Sequence, residues 1–281
     1  MAKTWLITGA SRGFGRALAE AVLDAGDRVL ATARRPEQLD DLAARYGERV
    51  RAVALDVTDP AAAEAAVRAA VDGFGSLGVV VNNAGYANSA PIEEMAEDDF
   101  RAQIETNLFG VVNVTRAALP VLRTQRSGVF LQFSSIGGRV GGTPGMGAYQ
   151  AAKFAVEGFS EVLANETAPF GVKVVIVEPG AFRTDWQGSS MRLHPVGPDY
   201  DETVGAINRY RRESDGAQPG DPARAAKVII DVAGSDDPPR RLLLGADAVA
   251  SARKAGEARA AETEKWAEVS SSTGFPSDDG R

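Results

Sequence analysis

Apolar positions in this chain fall into short unbroken runs separated by longer stretches of helical spacing. The runs are Thr4 to Thr8, Arg28 to Ala33, Val50 to Leu55, Leu77 to Val81, Val129 to Phe133 and Val172 to Val177, with Leu242 to Leu244 as the last. None alternates polar with apolar residues, which marks strands buried on both faces of a parallel sheet. Between them lie predicted helices. The first runs from Arg16 to Ala25 and closes at Gly26. Pro36 to Tyr46 opens on a proline, which the first helical turn tolerates, and an alanine-rich helix follows Asp59-Pro60 to about Phe74. A long helix follows Glu93, and another spans Tyr149 to Ala168. Strand–helix alternation with short loops predicts a doubly wound α/β fold, its right-handed crossovers placing helices on both faces.

Two stretches break the rhythm. Residues 186–220 are polar and rich in glycine and proline, with a charged helical piece from Tyr200 to Glu213. They read as a lid inserted before the helix that starts at Asp221-Pro222. Residues 246–281 read as a C-terminal helix, Ala246 to Glu268, and a frayed tail from Ser270 to Arg281. No internal repeat is visible, so residues 1–245 are expected to form one domain.

Composition narrows the chemistry. The net charge of −7 argues against nucleic acid as a partner, because phosphate binding needs a basic face. No cysteine among 281 residues removes disulfides, thiolate catalysis and cysteine-ligated metal, and a single histidine, His194, excludes multi-histidine metal sites. No apolar run reaches the ~18–20 residues of a membrane span, and no signal-peptide pattern opens the chain, so a cytoplasmic location is expected.

The first run leads into Thr8-Gly9-Ala10-Ser11-Arg12-Gly13-Phe14-Gly15. Glycines between a first strand and a first helix allow a sharp turn, a close backbone approach to a pyrophosphate and close helix–sheet packing, and the helix N-terminus attracts the anion. The spacing is G-x-x-x-G-x-G, a weak signal alone but a dinucleotide signature in this position. The second run ends Ala33-Arg34-Arg35, without the acid that would bind the ribose 2′-hydroxyl of NAD. Arg34 and Arg35, with Arg12, can clamp a 2′-phosphate, which points to NADP(H), although all three also fit an ordinary charged surface.

Tyr149 alone among the five tyrosines has a lysine four positions on, Lys153, and on a helix the two share a face. A phenol ordinarily titrates near pH ~10 and becomes a usable base only beside a cation that stabilises phenolate. A surface tyrosine and lysine fit the same spacing. Ser134-Ser135 ends the fifth run at the carboxyl edge of the sheet, where open α/β sheets bind ligands and a hydroxyl can meet a carbonyl oxygen. The glycine-rich stretch Gly137 to Gly142 reads as a flexible segment able to fold over a substrate.

With these landmarks in order over about residues 4–245, the chain resembles the short-chain dehydrogenase/reductase family, the branch with TGxxxGxG and YxxxK. Leu55-Asp56-Val57, Asn82-Asn83-Ala84-Gly85, Asn107 in NLFG, and Pro179-Gly180 followed by Thr184 complete the set. The resemblance implies a Rossmann-type fold and a metal-free hydride transfer between nicotinamide and a carbonyl or secondary alcohol. It implies that Tyr149 is the general acid or base and that Ser135 orients the carbonyl. Lys153 would hold the ribose and lower the Tyr149 pKa, and Asn107 would interrupt its helix and hold a water in a relay to Lys153. Cofactor contacts would come from Gly9, Ser11, Arg12, Gly13, Phe14, Gly15, Arg34, Arg35, Asp56, Val57, Asn83, Ala84, Gly85, Tyr149, Lys153, Pro179, Gly180, Phe182 and Thr184. Ser135 precedes Tyr149 by one residue more than in close relatives, which leaves Ser134 as the alternative serine. The Phe154 to Phe159 segment and the long lid resemble members acting on bulky apolar ketones; Trp186 and Met191 are the lid residues that would meet substrate, and His194 is read as incidental. A ketoacyl-thioester reductase, an NADP(H)-sensing regulator without turnover and a sugar-nucleotide epimerase are the rival readings. Family members often form homodimers or homotetramers through the helices carrying Asn107 and Tyr149.

Overall fold

Each apolar run is followed by a helix that carries the chain back over the sheet, so neighbouring strands meet in parallel. The computed structural model, which describes residues 2–275, contains nine strands. They are β1 (Thr4–Ile7), β2 (Arg28–Ala33), β3 (Val50–Ala54), β4 (Val79–Asn82), β5 (Ala87–Ser89), β6 (Gly128–Phe133), β7 (Val172–Pro179), β8 (Met191–Leu193) and β9 (Arg241–Leu244). Seven of them form one parallel sheet in the order β3-β2-β1-β4-β6-β7-β9, a single-domain, Rossmann-like arrangement. The helices are α1 (Gly13–Asp24), α2 (Asp40–Tyr46), α3 (Pro60–Phe74), α4 (Glu97–Ile104), α5 (Gly110–Gln125), α6 (Ile136–Arg139), α7 (Gly147–Thr167), α8 (Ala206–Ser214), α9 (Pro222–Gly234) and α10 (Ala246–Ser271). None of the described helices is long and apolar enough to cross a membrane.

Successive strand residues feed opposite faces. Ile7, Val29, Val81 and Val175 pack under Leu18 and Val22 of α1 and Ile229 of α9. Leu6, Leu30, Val80 and Phe130 pack under Val67 of α3, Val114 and Leu122 of α5 and Leu163 of α7. Each such side chain taken fully out of water contributes about 1.5–3 kcal/mol. Strand order reverses between β1 and β4, and the crevice at their carboxyl ends is the switch point where such sheets hold ligands. Asp-Pro starts two helices in the same way. Asp59 accepts from Ala61 N at 2.8 Å and Asp221 from Ala223 N at 2.8 Å, each followed by a proline that needs no N–H partner.

Several expected boundaries move. Helix α1 begins at Gly13, before Arg16, which brings the last two glycines of the turn into its first turn. Pro36 to Tyr46 splits into a 3₁₀ turn, Pro36–Leu39, and α2. The long helix after Glu93 is three pieces, because Glu105–Phe109 widens into a π turn between α4 and α5. The expected flexible stretch Gly137 to Gly142 is half ordered: Ser135 caps the single turn α6 by accepting from Gly137 N at 3.0 Å, leaving Val140 onward as loop. The segment 186–220 is more structured than its composition suggests. Strand β8 pairs with β5 from Ala87↔Met191 to Ser89↔Leu193, and a π turn, Asp201–Gly205, leads into α8. Helix α10 continues through Ser270 and Ser271, so the tail starts later than expected; residues 276–281 of that predicted tail lie outside the described residues.

Candidate active site

The glycine turn is held from behind. The Thr8 hydroxyl donates to Val81 O at 3.1 Å and accepts from the backbone N–H groups of Asn83 and Ala84, both at 3.0 Å. Asn83 Nδ2 donates to Thr8 O and Gly9 O at 2.9 and 3.2 Å. Gly15 lines neither cavity described below; a Cβ there would collide with the Gly9 carbonyl oxygen, so its absence lets α1 close on the turn. Arg12 stands at the N-cap without a side-chain cap, which leaves the first N–H groups of α1 for an anion.

A cleft of about 570 Å³ opens in front of this turn, lined by Gly9, Ser11, Arg12, Gly13, Phe14, Arg34, Arg35, Asp56, Val57, Asn83, Ala84, Gly85 and Thr184. The exposed guanidiniums of Arg34 and Arg35 stand at its edge, at the end of β2. Arg16, by contrast, is committed to Glu20 and Asp41. The Thr58 backbone N–H, on Asp56 Oδ1 at 3.0 Å, holds the Asp56 carboxyl below the usual carboxylate range.

A second cavity of about 320 Å³ adjoins the cleft and shares Phe14, Asn83, Gly85, Thr184 and Trp186 with it. It contains Asn107, Ser135, Tyr149, Lys153, Pro179, Gly180 and Phe182 together. Helix α7 places Tyr149 and Lys153 one turn apart, with Nζ 5.7 Å from the phenol ring centroid. Lys153 is 4% exposed and donates to Phe133 O at 2.7 Å. Burial pulls its ammonium down to about 8. Burial pushes the Tyr149 phenol up to about 12, outweighing the lowering effect of the neighbouring Ser135 hydroxyl and Trp186.

The two serines part company. Ser134 Oγ donates to Glu157 Oε1 at 2.8 Å, whereas Ser135 lines the cavity with Tyr149, and its hydroxyl favours the phenolate form of that residue. Ser135 Oγ already accepts from Gly137 N, so its own proton is the one free to be given.

Asn107 occupies the π turn. Its Nδ2 donates to Gln103 O and Tyr86 O, both at 3.0 Å, and its Oδ1 accepts from Tyr86 N at 3.3 Å. The side chain thus supplies a donor to Gln103, a carbonyl one turn back, and ties the turn to the loop after β4. A Cβ on Gly85 would lie 2.5 Å from Asn107 Oδ1 and 3.8 Å from Lys153 Nζ, which puts Gly85 beside both polar groups.

Sequence reasoning missed the outer wall of the second cavity: Thr143, Met146, Gln150, Gln187, Arg211 and Gln218. Nothing local marks them, since strand β8 and α8 bring the last three into place. Trp186 packs on Tyr149 with ring centroids 5.4 Å apart, and Met191 is buried against Tyr149 and Met146. His194 lines neither cavity and sits with Nε2 3.4 Å from Asp99 Oδ2. Phe154, 42% exposed, and Phe159, packed in the core, line neither cavity.

Residues 3–192 match the family model described as short chain dehydrogenase. Oxidoreductase BOA17 of Botryotinia fuckeliana strain B05.10 is 53% identical over 271 residues, covering 96% of this chain and 98% of that protein. A crystal structure of a short-chain dehydrogenase from Streptomyces avermitilis superposes with a TM-score of 0.91 at 44% identity, covering 98% of this chain and 100% of that one. The X-ray structure of an alcohol dehydrogenase from the archaeon Thermococcus sibiricus, complexed with 5-hydroxy-NADP, has a TM-score of 0.71 at 27% identity and covers 87% of this chain and 96% of that one.

Proposed function

The chain belongs to the short-chain dehydrogenase family of oxidoreductases, and we propose that it uses NADP(H) to interconvert a carbonyl compound and its alcohol. The observation that carries this reading is the meeting of Ser135, Tyr149 and Lys153 in a cavity continuous with a cleft shaped for a dinucleotide. The uncapped N-terminus of α1 and the closely packed turn at Gly9 and Gly15 suit a pyrophosphate. Arg34 and Arg35, with no acid at the end of β2, suit a 2′-phosphate, and Arg12 stands on the same cleft. Asp56 and Val57 would flank the adenine, Asn83 to Gly85 the middle of the cofactor, and Pro179, Gly180, Phe182 and Thr184 the nicotinamide. The Thermococcus enzyme's complex with 5-hydroxy-NADP supports a nicotinamide dinucleotide in such a cleft.

When bound, the cofactor supplies or takes up the hydride. Tyr149 gives its phenolic proton to the carbonyl oxygen in reduction and takes it back in oxidation. With the phenol up at about 12 the proton rests on Tyr149 at neutral pH, the form that reduction needs. Ser135 donates to the same oxygen. Lys153 spends one N–H on Phe133 O and keeps two for the ribose, and its charge favours phenolate in the oxidative direction. Asn107 Oδ1, beside Gly85, holds a water that links Lys153 to solvent. Residues 186–220 act as the lid, with Trp186 closing over Tyr149. A cytoplasmic location and a homodimer or homotetramer through the helices carrying Asn107 and Tyr149 belong to the same proposal.

The cofactor assignment is tested by replacing Arg34 and Arg35 together with alanine. The KM for NADPH should rise about 10-fold or more, the worth of one or two charge-assisted hydrogen bonds, while the KM for NADH stays within about twofold. Equal effects on both would contradict it.

A further inference from the structure

One guanidinium in the candidate active-site cavity has no part in the reaction just described. Arg211, on α8, is 6% exposed and lines the same cavity as Ser135 and Tyr149. Its Nη1 donates to Ser89 Oγ at 2.9 Å and to Asn208 Oδ1 at 3.3 Å, both neutral acceptors. Ser89 in turn donates to Asn208 Oδ1 at 2.7 Å, so the anchor is rigid and itself buried. Among the described residues no carboxylate pairs with Arg211, and burial alone pulls it down to about 10. Asp247, the carboxylate among the cavity residues, accepts instead from Ala181 N at 2.7 Å.

A buried charge without a counter-ion is costly, and the cost is recovered when an anion arrives. With Nη1 anchored, the edge formed by Nε and Nη2 is the part of the guanidinium without a protein acceptor among the described residues. That edge is a planar pair of donors matched to the two oxygens of a carboxylate. The wall beside it is also polar and incompletely paired. Gln218, which lines the same cavity, is 4% exposed with Oε1 unpartnered.

We propose that Arg211 receives a carboxylate of the substrate, which makes the carbonyl compound an oxo acid and its reduced partner a hydroxy acid. The inference rests on the reading that this cavity holds the carbonyl substrate. Arg211 is then a specificity residue: it fixes the acid end while Ser135 and Tyr149 meet the carbonyl.

The test uses the full chain with NADPH and ketones that differ only in charge: pyruvate, acetoacetate, levulinate and 5-oxohexanoate against their methyl esters, with dihydroxyacetone phosphate as the phosphate arm. NADPH oxidation gives kcat and KM, and thermal stabilisation by each compound gives binding without turnover. The acid of at least one pair should be preferred over its ester by about 30-fold or more in kcat/KM, mainly through KM. Arg211→Met should bring that ratio close to one with NADPH affinity unchanged, and Arg211→Lys should keep part of it. Equal handling of acids and esters by the unaltered protein, a preference that survives in Arg211→Met, or binding of none of the acids would overturn the inference. Use of dihydroxyacetone phosphate alone would overturn the carboxylate assignment. The acid–ester comparison in the unaltered protein does not depend on the variants folding. If oxo acids stabilise the unaltered protein but not Arg211→Met, and no NADPH is consumed, the carboxylate site stands and the reductase reading falls. Reduction of ketones regardless of charge gives the reverse.

Discussion

Two adjacent serines just after β6 have different fates, set by which turn of α7 each one meets. Both approach α7, but at different turns: Ser134 meets Glu157 and the Lys153 carbonyl, while Ser135 caps α6 and lines the cavity with Tyr149. Replacing Ser135 with alanine should lower kcat by about 100-fold or more, the loss of one donor to the developing oxyanion. Replacing Ser134 with alanine should leave kcat within a few-fold and destabilise the fold by about 1–3 kcal/mol, because a buried carboxylate loses a donor. Steady-state kinetics and urea unfolding of the two variants check this, and the reverse assignment of effects would contradict it. From the sequence both serines were candidates, since adjacency does not say which turn of α7 each one meets. Tyr149 and Lys153 were legible because an i, i+4 pair on a helix is a local fact. Arg211 was not, because its meeting with Ser89 depends on the pairing of β5 with β8 and on α8 beyond it.

Among the elements, α6, α7, β7 and β9 bring together a buried cluster of charges. Glu178 is 0% exposed and lies 3.1 Å from Arg241 Nε and 3.4 Å from Arg139 Nη1, with Glu157 nearby. Burial, then repulsion from Glu157, pushes the Glu178 carboxyl up to about 7 despite the two arginines. In the unfolded chain it titrates near its ordinary value of 4.5. A folded-state pKa above the unfolded one means that the folded chain keeps a proton the unfolded chain has lost. Glu178 therefore favours folding fully below the unfolded value, and that advantage is lost as pH rises to the folded value. Between about pH 5.5 and pH 8, the stability of the protein relative to its Glu178→Gln variant should fall by roughly 2 kcal/mol, as read by urea unfolding. A difference that does not change with pH would show that the carboxyl is not raised. No composition or periodicity argument could have located this cluster, which joins segments far apart in the chain. The strands themselves were legible, because unbroken apolar runs have few alternatives. The π turn at Asn107 was anticipated only through family resemblance: residues 105–109 keep helical spacing, and the side chain that donates to Gln103 O shows itself only in three dimensions.

For the molecule as a whole, strand–helix alternation and the right-handed crossover predict the doubly wound parallel sheet and a site at its carboxyl edge, whereas the strand order is supplied only by the structure, since the same alternation also fits other orders. The candidate active-site cavity was legible only on its inner side. Its outer wall comes from residues 186–220, whose polar composition concealed a strand and a helix, and the FAVEGF segment that suggested an apolar substrate lies away from both cavities. On the proposed function, Tyr149 moves the proton while the rest of the fold holds the cofactor and substrate. The decisive experiment replaces Tyr149 with phenylalanine and measures NADPH binding and NADPH-dependent carbonyl reduction on the same sample. NADPH affinity should stay within about twofold of the unaltered protein while kcat falls by about 100-fold or more, the usual worth of a general acid. Turnover within a few-fold of the unaltered protein would contradict a proton transfer by Tyr149.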